Sequence, residues 1–198
     1  MKNCDQVQVI LKVLLIDSNQ KRLNQMDNFL SQNGLRLKAF DYIPTISEVK
    51  SFGANLITYF TNKSEKSLID LETMQVDFPG VSILVVTQEN SKEAIDDLLD
   101  RGALNVILNN GKGSEVLFGV ISSYKFDARI KKLETQIECV ENKYNDLKII
   151  GHAKRILMKR YKETEAEAHY RLQKMSMNMN KTIREISEQI IDASALLG

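Results

Sequence analysis

Polar side chains that could hold a cation or a phosphoryl group follow apolar runs in the first half of the chain. Asp17 ends the run LKVLLID and Thr87 ends the run VSILVVT. A carboxylate is an oxygen ligand for a hard cation such as magnesium, and a hydroxyl can hydrogen-bond a phosphoryl group. The neighbouring Ser18 adds no second carboxylate to Asp17, and a single carboxylate is a poor magnesium site.

Basic side chains cluster in the last quarter of the chain. Residues 151–162 contain five basic residues and no acidic one: Lys154, Arg155, Lys159, Arg160 and Lys162. Residues 151–198 hold nine basic and six acidic residues, whereas residues 1–150 hold 18 basic and 20 acidic ones, so the total net charge of +1 hides a separation. Clustered cations suit contacts to nucleic-acid phosphates. A solvated helix face is the alternative that this cluster alone leaves open.

Other arrangements that could support catalysis do not occur in the sequence. His152 and His169 lie far apart without further metal-ligand spacing, and Cys4 and Cys139 are too few for a disulfide framework or a cysteine zinc site. No pair of nucleophile and base stands out. The sequence therefore predicts a protein that is not an enzyme and that uses no metal and no cofactor. No apolar run approaches the roughly 20 residues of a membrane span, which predicts a cytoplasmic protein without membrane contacts.

Residues 1–113 alternate short apolar runs with amphipathic segments, which predicts strands alternating with helices. We expect strands at 11–17, 35–40, 55–60, 81–87 and 105–108, and helices at 19–32, after Thr45, at 65–76 and at 91–101. Thr45 and Glu48 have the spacing of a capping box. Such repeats are typical of an α/β fold with a doubly wound parallel sheet. Every strand except the one at 35–40 is apolar at nearly every position and is expected to be buried on both faces.

After Gly113 the chain contains no proline and few glycines, which predicts one helix from about Ser114 to Lys162. Within 114–150, apolar residues recur at alternating spacings of three and four, the a/d pattern of a coiled coil. This seam consists of Ile130, Leu133, Ile137, Val140, Tyr144 and Leu147. We expect the seam to form a homodimer, and packing onto the chain's own sheet is the alternative. The flanking charges do not decide between a parallel and an antiparallel pair.

Residues 151–198 predict a three-helix bundle whose first helix is the end of the long one. Thr164 with Glu167, and Thr182 with Glu185, have capping-box spacing and start two further helices. Four methionines are expected to fill irregular gaps in the bundle core. They are Met158, Met175, Met177 and Met179.

Residues 1–113 resemble the receiver domain of response regulators. The resemblance is carried by LLIDS, NLITYF, ILVVTQ and GALNVILNN, at the ends of the first, third, fourth and fifth strands. It implies a flavodoxin-like (βα)5 domain with its phosphorylation site at Asp17, Ser18, Phe60, Thr87 and Asn109. Working receivers have a second acid, an aspartate and a lysine where this chain has serine, phenylalanine and asparagine. We therefore expect a pseudo-receiver without phosphorylation, whose control comes from a docked sensor or regulatory protein, a small ligand or a rearrangement of the dimer.

The last section is similar to the ANTAR domain of transcription antitermination regulators. The motifs occur in order and without a gap: AKRILM from Ala153, TEAEA from Thr164, SMN from Ser176 and IREI from Ile183. Members of that family bind tandem hairpins in leader RNA and prevent formation of the terminator. The resemblance also implies the order of pseudo-receiver, coiled coil and bundle, which covers nearly the whole chain.

The resemblance assigns RNA contacts to seven residues, four at motif positions and three as electrostatic support. The four are Lys154, Ser176, Lys181 and Arg184, and the three are Arg155, Lys159 and Lys174. Tyr161 and Tyr170 are the aromatic candidates for stacking on a base. Asn178 stands where the family usually has aspartate, a departure that concerns affinity or loop preference and not the bundle.

The leading hypothesis is a dimeric, RNA-binding antitermination regulator. The alternative is a protein-interaction adaptor, in which the pseudo-receiver docks a sensor and the basic bundle is only a solvated end. Binding of duplex DNA is disfavoured because the sequence contains no helix-turn-helix recognition pattern.

Overall fold

The structure, a computed structural model, describes residues 11–62, 65–108 and 112–197. The chain divides into two compact units, Met1–Ile130 and Lys131–Gly198. The first unit holds a five-stranded sheet with its helices, and the second holds the last two helices of the chain. No helix within the described ranges is both long and apolar enough to cross a membrane.

The first unit is built on one parallel sheet with the strand order β2-β1-β3-β4-β5. Its strands are β1 (Lys12–Ile16), β2 (Arg36–Phe40), β3 (Leu56–Phe60), β4 (Ser82–Thr87) and β5 (Asn105–Leu108). The chain adds β2 on one side of β1 and then continues with β3 on the other side. This is the flavodoxin-like arrangement, and it confirms the predicted doubly wound α/β fold.

Four helices of the first unit connect the strands, and side-chain caps fix where three of them begin. They are α1 (Gln20–Gln32), α2 (Ile46–Phe52), α3 (Glu65–Asp77) and α4 (Lys92–Asp100). Asn19 caps α1 and Ser91 caps α4 through side-chain oxygens that accept backbone N–H bonds. Before α2, the Thr45 hydroxyl accepts from the backbone of Glu48 while the Glu48 carboxylate accepts from the backbone of Thr45, the predicted capping box.

The two faces of the sheet are buried in separate apolar clusters, because successive residues of a strand point to opposite sides. On β1, Leu14 and Ile16 face one cluster while Val13 and Leu15 face the other. The prediction of burial on both faces is wrong for β5. This strand has only one neighbour and lies at the sheet edge, and its Leu108 is 47% exposed.

One long helix and two shorter ones complete the chain, as predicted. They are α5 (Gly113–Tyr161), α6 (Glu165–Met179) and α7 (Ile183–Leu197). In the second unit they enclose a small apolar core of Ala153, Leu157, Ala168, Leu172 and Ile186. Met158 and Met175 pack against this core, as expected.

The other two methionines of the predicted bundle core are exposed. Met177 is 81% exposed because it lies two residues past Met175 and falls off the inward stripe of α6. Met179 is 50% exposed and is the last residue of α6. The assignment of these two side chains to the core is therefore wrong.

The joints between α5, α6 and α7 are tight because single residues adopt left-handed backbone angles. Lys162 has φ 57° after α5 and Asn180 has φ 51° after α6. Asparagine tolerates this region, whereas a lysine there is strained. Thr164 and Thr182 then form the predicted capping boxes with Glu167 and Glu185, which restart the helix after each joint.

The predicted a/d seam on α5 is uncovered in the single chain. Its six residues, from Ile130 to Leu147, are between 43% and 69% exposed. Contiguous apolar surface of this kind is typical of protein-interaction surfaces, and the homodimer stays a prediction.

Thr58, in the middle of β3, has a fully buried hydroxyl without a hydrogen-bond partner. A buried unpaired hydroxyl costs roughly 1–3 kcal/mol. We therefore expect Thr58→Val, which replaces the hydroxyl with a methyl group of similar size, to raise the free energy of unfolding by about 1 kcal/mol. Chemical denaturation followed by circular dichroism measures this change. Thr58→Ser, which keeps the hydroxyl and removes the methyl group, should destabilise the chain, and a loss of stability in Thr58→Val would contradict the prediction.

Candidate functional sites

The receiver-like end of the sheet contains one buried carboxylate with an internal cation. Asp17, directly after β1, is 0% exposed. Its carboxylate accepts hydrogen bonds from Arg22 Nε at 2.5 Å and Arg22 Nη2 at 2.8 Å, and from the backbone N–H of Asn19 at 2.8 Å. A guanidinium matches a carboxylate through two parallel bonds, so this pair is bidentate. The hydrogen bond with Asp17 raises the pKa of Arg22 above its ordinary value.

Arg22 also covers Phe60, the residue predicted to stand at the phosphoacceptor position. Its guanidinium carbon lies 5.3 Å from the ring centre of Phe60, the last residue of β3. A cation over an aromatic face is attracted by the ring quadrupole. The Asp17 carboxylate is thus neutralised from within the chain, and the residues do not fit a magnesium ion. Among the described residues, no group of three acidic, histidine or cysteine side chains comes together as a metal site.

Two of the other predicted receiver positions, Thr87 and Ser18, are described: one forms a local hydrogen bond and the other lines a cavity. Thr87 ends β4, and its buried hydroxyl accepts the backbone N–H of Glu89 at 3.1 Å. Ser18 lines a cavity of about 640 Å³ beside Asp17, together with Arg22 and Phe60. Asn109 lies outside the described residues. The structure therefore brings Asp17, Ser18 and Phe60 together around Arg22, a residue that the sequence pattern did not single out.

In the second unit, five of the six acidic residues of 151–198 are held by neighbours. Glu163, Glu165 and Glu188 form ion pairs with Arg171, Lys154 and Arg184. Glu167 and Glu185 close the capping boxes, and the hydrogen bonds from Thr164 and Thr182 lower the pKa of these two carboxyl groups. Little negative charge in the bundle is therefore left without a cation or a backbone donor.

The predicted RNA-binding cations fall into two groups. Lys154 is bound to Glu165 at 2.5 Å with a side chain only 20% exposed, and Arg184 is bound to Asp146 at 2.7 Å and to Glu188 at 3.0 Å. The residues expected only as support are exposed and, within the described part of the chain, form no ion pair. They are Arg155, Lys159 and Lys174, and the motif residue Lys181 behaves in the same way.

Ser176, the seventh predicted contact, closes the joint after α6. Its hydroxyl donates to the Lys181 carbonyl at 2.5 Å, and its own carbonyl accepts the Lys181 N–H at 3.1 Å. Both bonds stabilise the turn around Asn180. Ser176 therefore positions the start of α7 in this structure.

Two residues that sequence reasoning did not assign, Arg171 and Glu163, organise the joint between α5 and α6. Arg171 Nε lies 2.9 Å and 3.1 Å from the two carboxylate oxygens of Glu163, and its guanidinium carbon lies 4.5 Å from the ring centre of Tyr161. The only signal in the sequence is the alternation of basic and aromatic residues at Arg160-Tyr161 and Tyr170-Arg171. The contact itself depends on the left-handed turn at Lys162, which no periodicity reveals.

Comparison with protein families finds one match, since residues 140–191 match the family model of the ANTAR domain. No curated protein matches the chain.

Solved response regulators share the fold of the chain at low sequence identity. The response regulator StyR is 11% identical, with 90% of this chain and 98% of that chain covered and a TM-score of 0.55. The chemotaxis protein CheY4 of Vibrio cholerae is 16% identical over 58% of this chain and 98% of its own, with a TM-score of 0.51. The receiver domain of NarL from Mycobacterium tuberculosis is 12% identical over 58% and 96%, with a TM-score of 0.50. These likenesses show the fold.

The ion pair of Asp17 and Arg22 yields a stability prediction. Arg22→Met is expected to lower the free energy of unfolding by about 2–4 kcal/mol, because it leaves a buried carboxylate without its cation. Adding Asp17→Asn removes that stranded charge, so the double variant should be more stable than Arg22→Met alone. Chemical denaturation of the full chain measures both. Equal stabilities of the single and double variants would show that the two side chains are not coupled.

Proposed function

We propose that this chain, which carries an ANTAR domain at residues 140–191 and a response-regulator receiver fold, is an RNA-binding transcription antitermination regulator. It binds hairpins in leader RNA and prevents the terminator from forming, so that polymerase reads through. The chain acts as a regulator and not as an enzyme, on transcripts in the cytoplasm.

The observation that carries this proposal is the charge of the bundle surface. Five of the six acids of 151–198 are held in ion pairs or capping boxes, while several exposed cations form no ion pair among the described residues. The unpaired cations are Arg155, Lys159, Lys174 and Lys181. A protein cation displaces a counterion from the RNA backbone only where the cation is free to reach a phosphate. The bundle therefore presents a positive surface although the chain is close to neutral.

The seven predicted RNA-binding residues take two roles in this proposal. The unpaired cations contact phosphates directly. Lys154, Ser176 and Arg184 hold the helices that carry them, since each is bound to another part of the second unit. Lys154 and Arg184 reach the RNA only by exchanging a carboxylate partner for a phosphate.

A second copy of the chain is the proposed partner of the exposed seam on α5. Six apolar side chains at coiled-coil spacing, each at least 43% exposed, bury their surface when two such helices pair. A dimer presents two bundles, and tandem hairpins then bind through two linked contacts, which raises the overall affinity.

Control of the regulator is proposed to come from a protein docked on the pseudo-receiver and not from aspartyl phosphorylation. Phe60 stands at the acceptor position, and Arg22 already neutralises Asp17, the one carboxylate among the five predicted receiver positions. The internal ion pairs of Lys154 and Arg184 favour one other candidate, an adaptor whose bundle binds no RNA.

The cations that lack an acidic partner give the test of RNA binding. The probe is a hairpin RNA selected against the full-length protein from a library with a fixed stem and a randomised loop. Lys159→Ala combined with Lys174→Ala is expected to weaken binding at least about tenfold at moderate salt. The slope of log affinity against log salt concentration should become shallower by about 0.7 for each phosphate contact that is lost. Electrophoretic mobility shifts at several salt concentrations measure both quantities.

The matched control is Lys21→Ala combined with Lys92→Ala, two exposed lysines of the first unit. It removes the same total charge and should leave the affinity and the salt slope unchanged. Equal losses in the two double variants would show that only total charge matters. Failure to select any RNA that binds the wild-type chain would favour the adaptor, and read-through of a terminator that carries the hairpin is the functional measurement.

A further inference from the structure

We infer that Tyr161 and Arg171 form a stacking site for an unpaired base of the RNA loop, at the joint between α5 and α6. The inference rests on the proposed function and adds a recognition element to it. Sequence reasoning named Tyr161 only as an aromatic candidate, and the structure supplies its partner.

Tyr161 is the last residue of α5 and is 49% exposed. The guanidinium carbon of Arg171, on α6, lies 4.5 Å from the centre of its ring, and that of Arg160 lies 5.8 Å away. Loop bases of RNA stack on aromatic rings and on guanidinium planes. A half-exposed ring with two guanidinium groups beside it offers both kinds of surface in one place.

Arg171 is held in position before any ligand arrives. Its Nε and Nη2 bind the carboxylate of Glu163, whose side chain is only 15% exposed. The hydrogen bond with Glu163 raises the pKa of Arg171 above its ordinary value. A planar group fixed in a bidentate contact loses little conformational freedom when a base stacks on it.

A cavity of about 440 Å³ opens beside this pair. Its walls include Arg160, Tyr161 and Arg171, the apolar side chains of the bundle and the exposed amide of Gln189. None of the described residues that line it is acidic. A cavity with apolar walls, two cations and one amide fits a flat, electron-rich ring with hydrogen-bonding edges, which is the chemistry of a nucleobase. Its volume lies within the range of small-molecule sites.

A second concave surface, of about 490 Å³, shares Arg171 with the first. It includes Tyr170, which is 67% exposed, and Lys174, one of the unpaired cations. Its two acids, Glu163 and Glu167, are already held by Arg171 and by the cap at Thr164. Lys174 therefore lies in the neighbouring concave surface, where it can contact a phosphate next to the stacked base.

The test separates stacking from charge. Tyr161→Leu removes the ring without changing the charge, and it is expected to weaken binding of the selected hairpin RNA about five- to hundredfold. The salt slope should stay unchanged because no phosphate contact is lost. Tyr161→Phe keeps the ring and should bind within about twofold of wild type. Lys159→Ala, by contrast, should make the salt slope shallower.

A spectroscopic measurement reports the stacked base itself. 2-Aminopurine is placed at each loop position in turn, and its fluorescence should be quenched at one position in the wild-type complex and recover in the Tyr161→Leu complex. Arg171→Lys keeps the charge and removes the planar group, so it should weaken binding with an unchanged salt slope. If circular dichroism shows that Tyr161→Leu does not fold, Arg171→Lys is the variant that tests the stacking site.

Wild-type affinity in folded Tyr161→Leu, or in Arg171→Lys where that variant decides, would overturn the stacking site. If Lys159→Ala with Lys174→Ala still weakens binding in that case, the proposed RNA-binding function stands without it. If the wild-type chain binds no selected RNA at all, the proposed function fails, and the stacking site fails with it.

Discussion

The continuity of helix α5 is the constraint on which both units depend. Its 49 residues contain no proline, and the same run of backbone hydrogen bonds carries Val116 and Val120 into the core of the first unit and Leu157 into the core of the second. Gly119 allows close packing in the first unit, since a Cβ there would lie 2.7 Å from Ile107 Cδ1. Between these two buried portions of α5 lie the six exposed side chains of the seam.

A second physical rule recurs in both units, namely that carboxylates are matched by groups of the same chain. Asp17 receives two guanidinium bonds from Arg22 at the end of the sheet, where an acid cluster would bind a metal. In the bundle, Glu163 fixes Arg171, and the threonine caps hold two further acids. In the sheet this matching occupies the Asp17 carboxylate, and in the bundle it occupies acidic groups while Lys159 and Lys174 form no ion pair among the described residues.

Much of this structure could be predicted from the spacing of apolar residues, because that spacing reflects which side chains are buried. The doubly wound α/β fold, the long helix and all three capping boxes follow from local patterns, and each helix and cap is found at the expected place or within a residue or two. Contacts across the tight joints were not predictable. The pairs Lys154–Glu165 and Arg171–Tyr161 depend on the left-handed backbone at Lys162, and a sequence gives little warning of a lysine in that conformation. The exposure of Leu108 depends on strand order, which only the assembled sheet decides.

Under the proposed RNA-binding function, the near-zero net charge affects how the protein discriminates among transcripts. A chain of net charge +1 has almost no long-range attraction for polyanions, and at physiological salt the field of its bundle cations fades within about 8 Å. The protein is therefore expected to dissociate quickly from RNA that lacks the recognised loop. Residence time is decided by contacts at short range, where the shape of the loop counts as much as its charge. Because the acidic side chains of the bundle are paired within the chain, its surface is positive without additional basic residues. The whole molecule therefore does not bind polyanions nonspecifically through a high net charge.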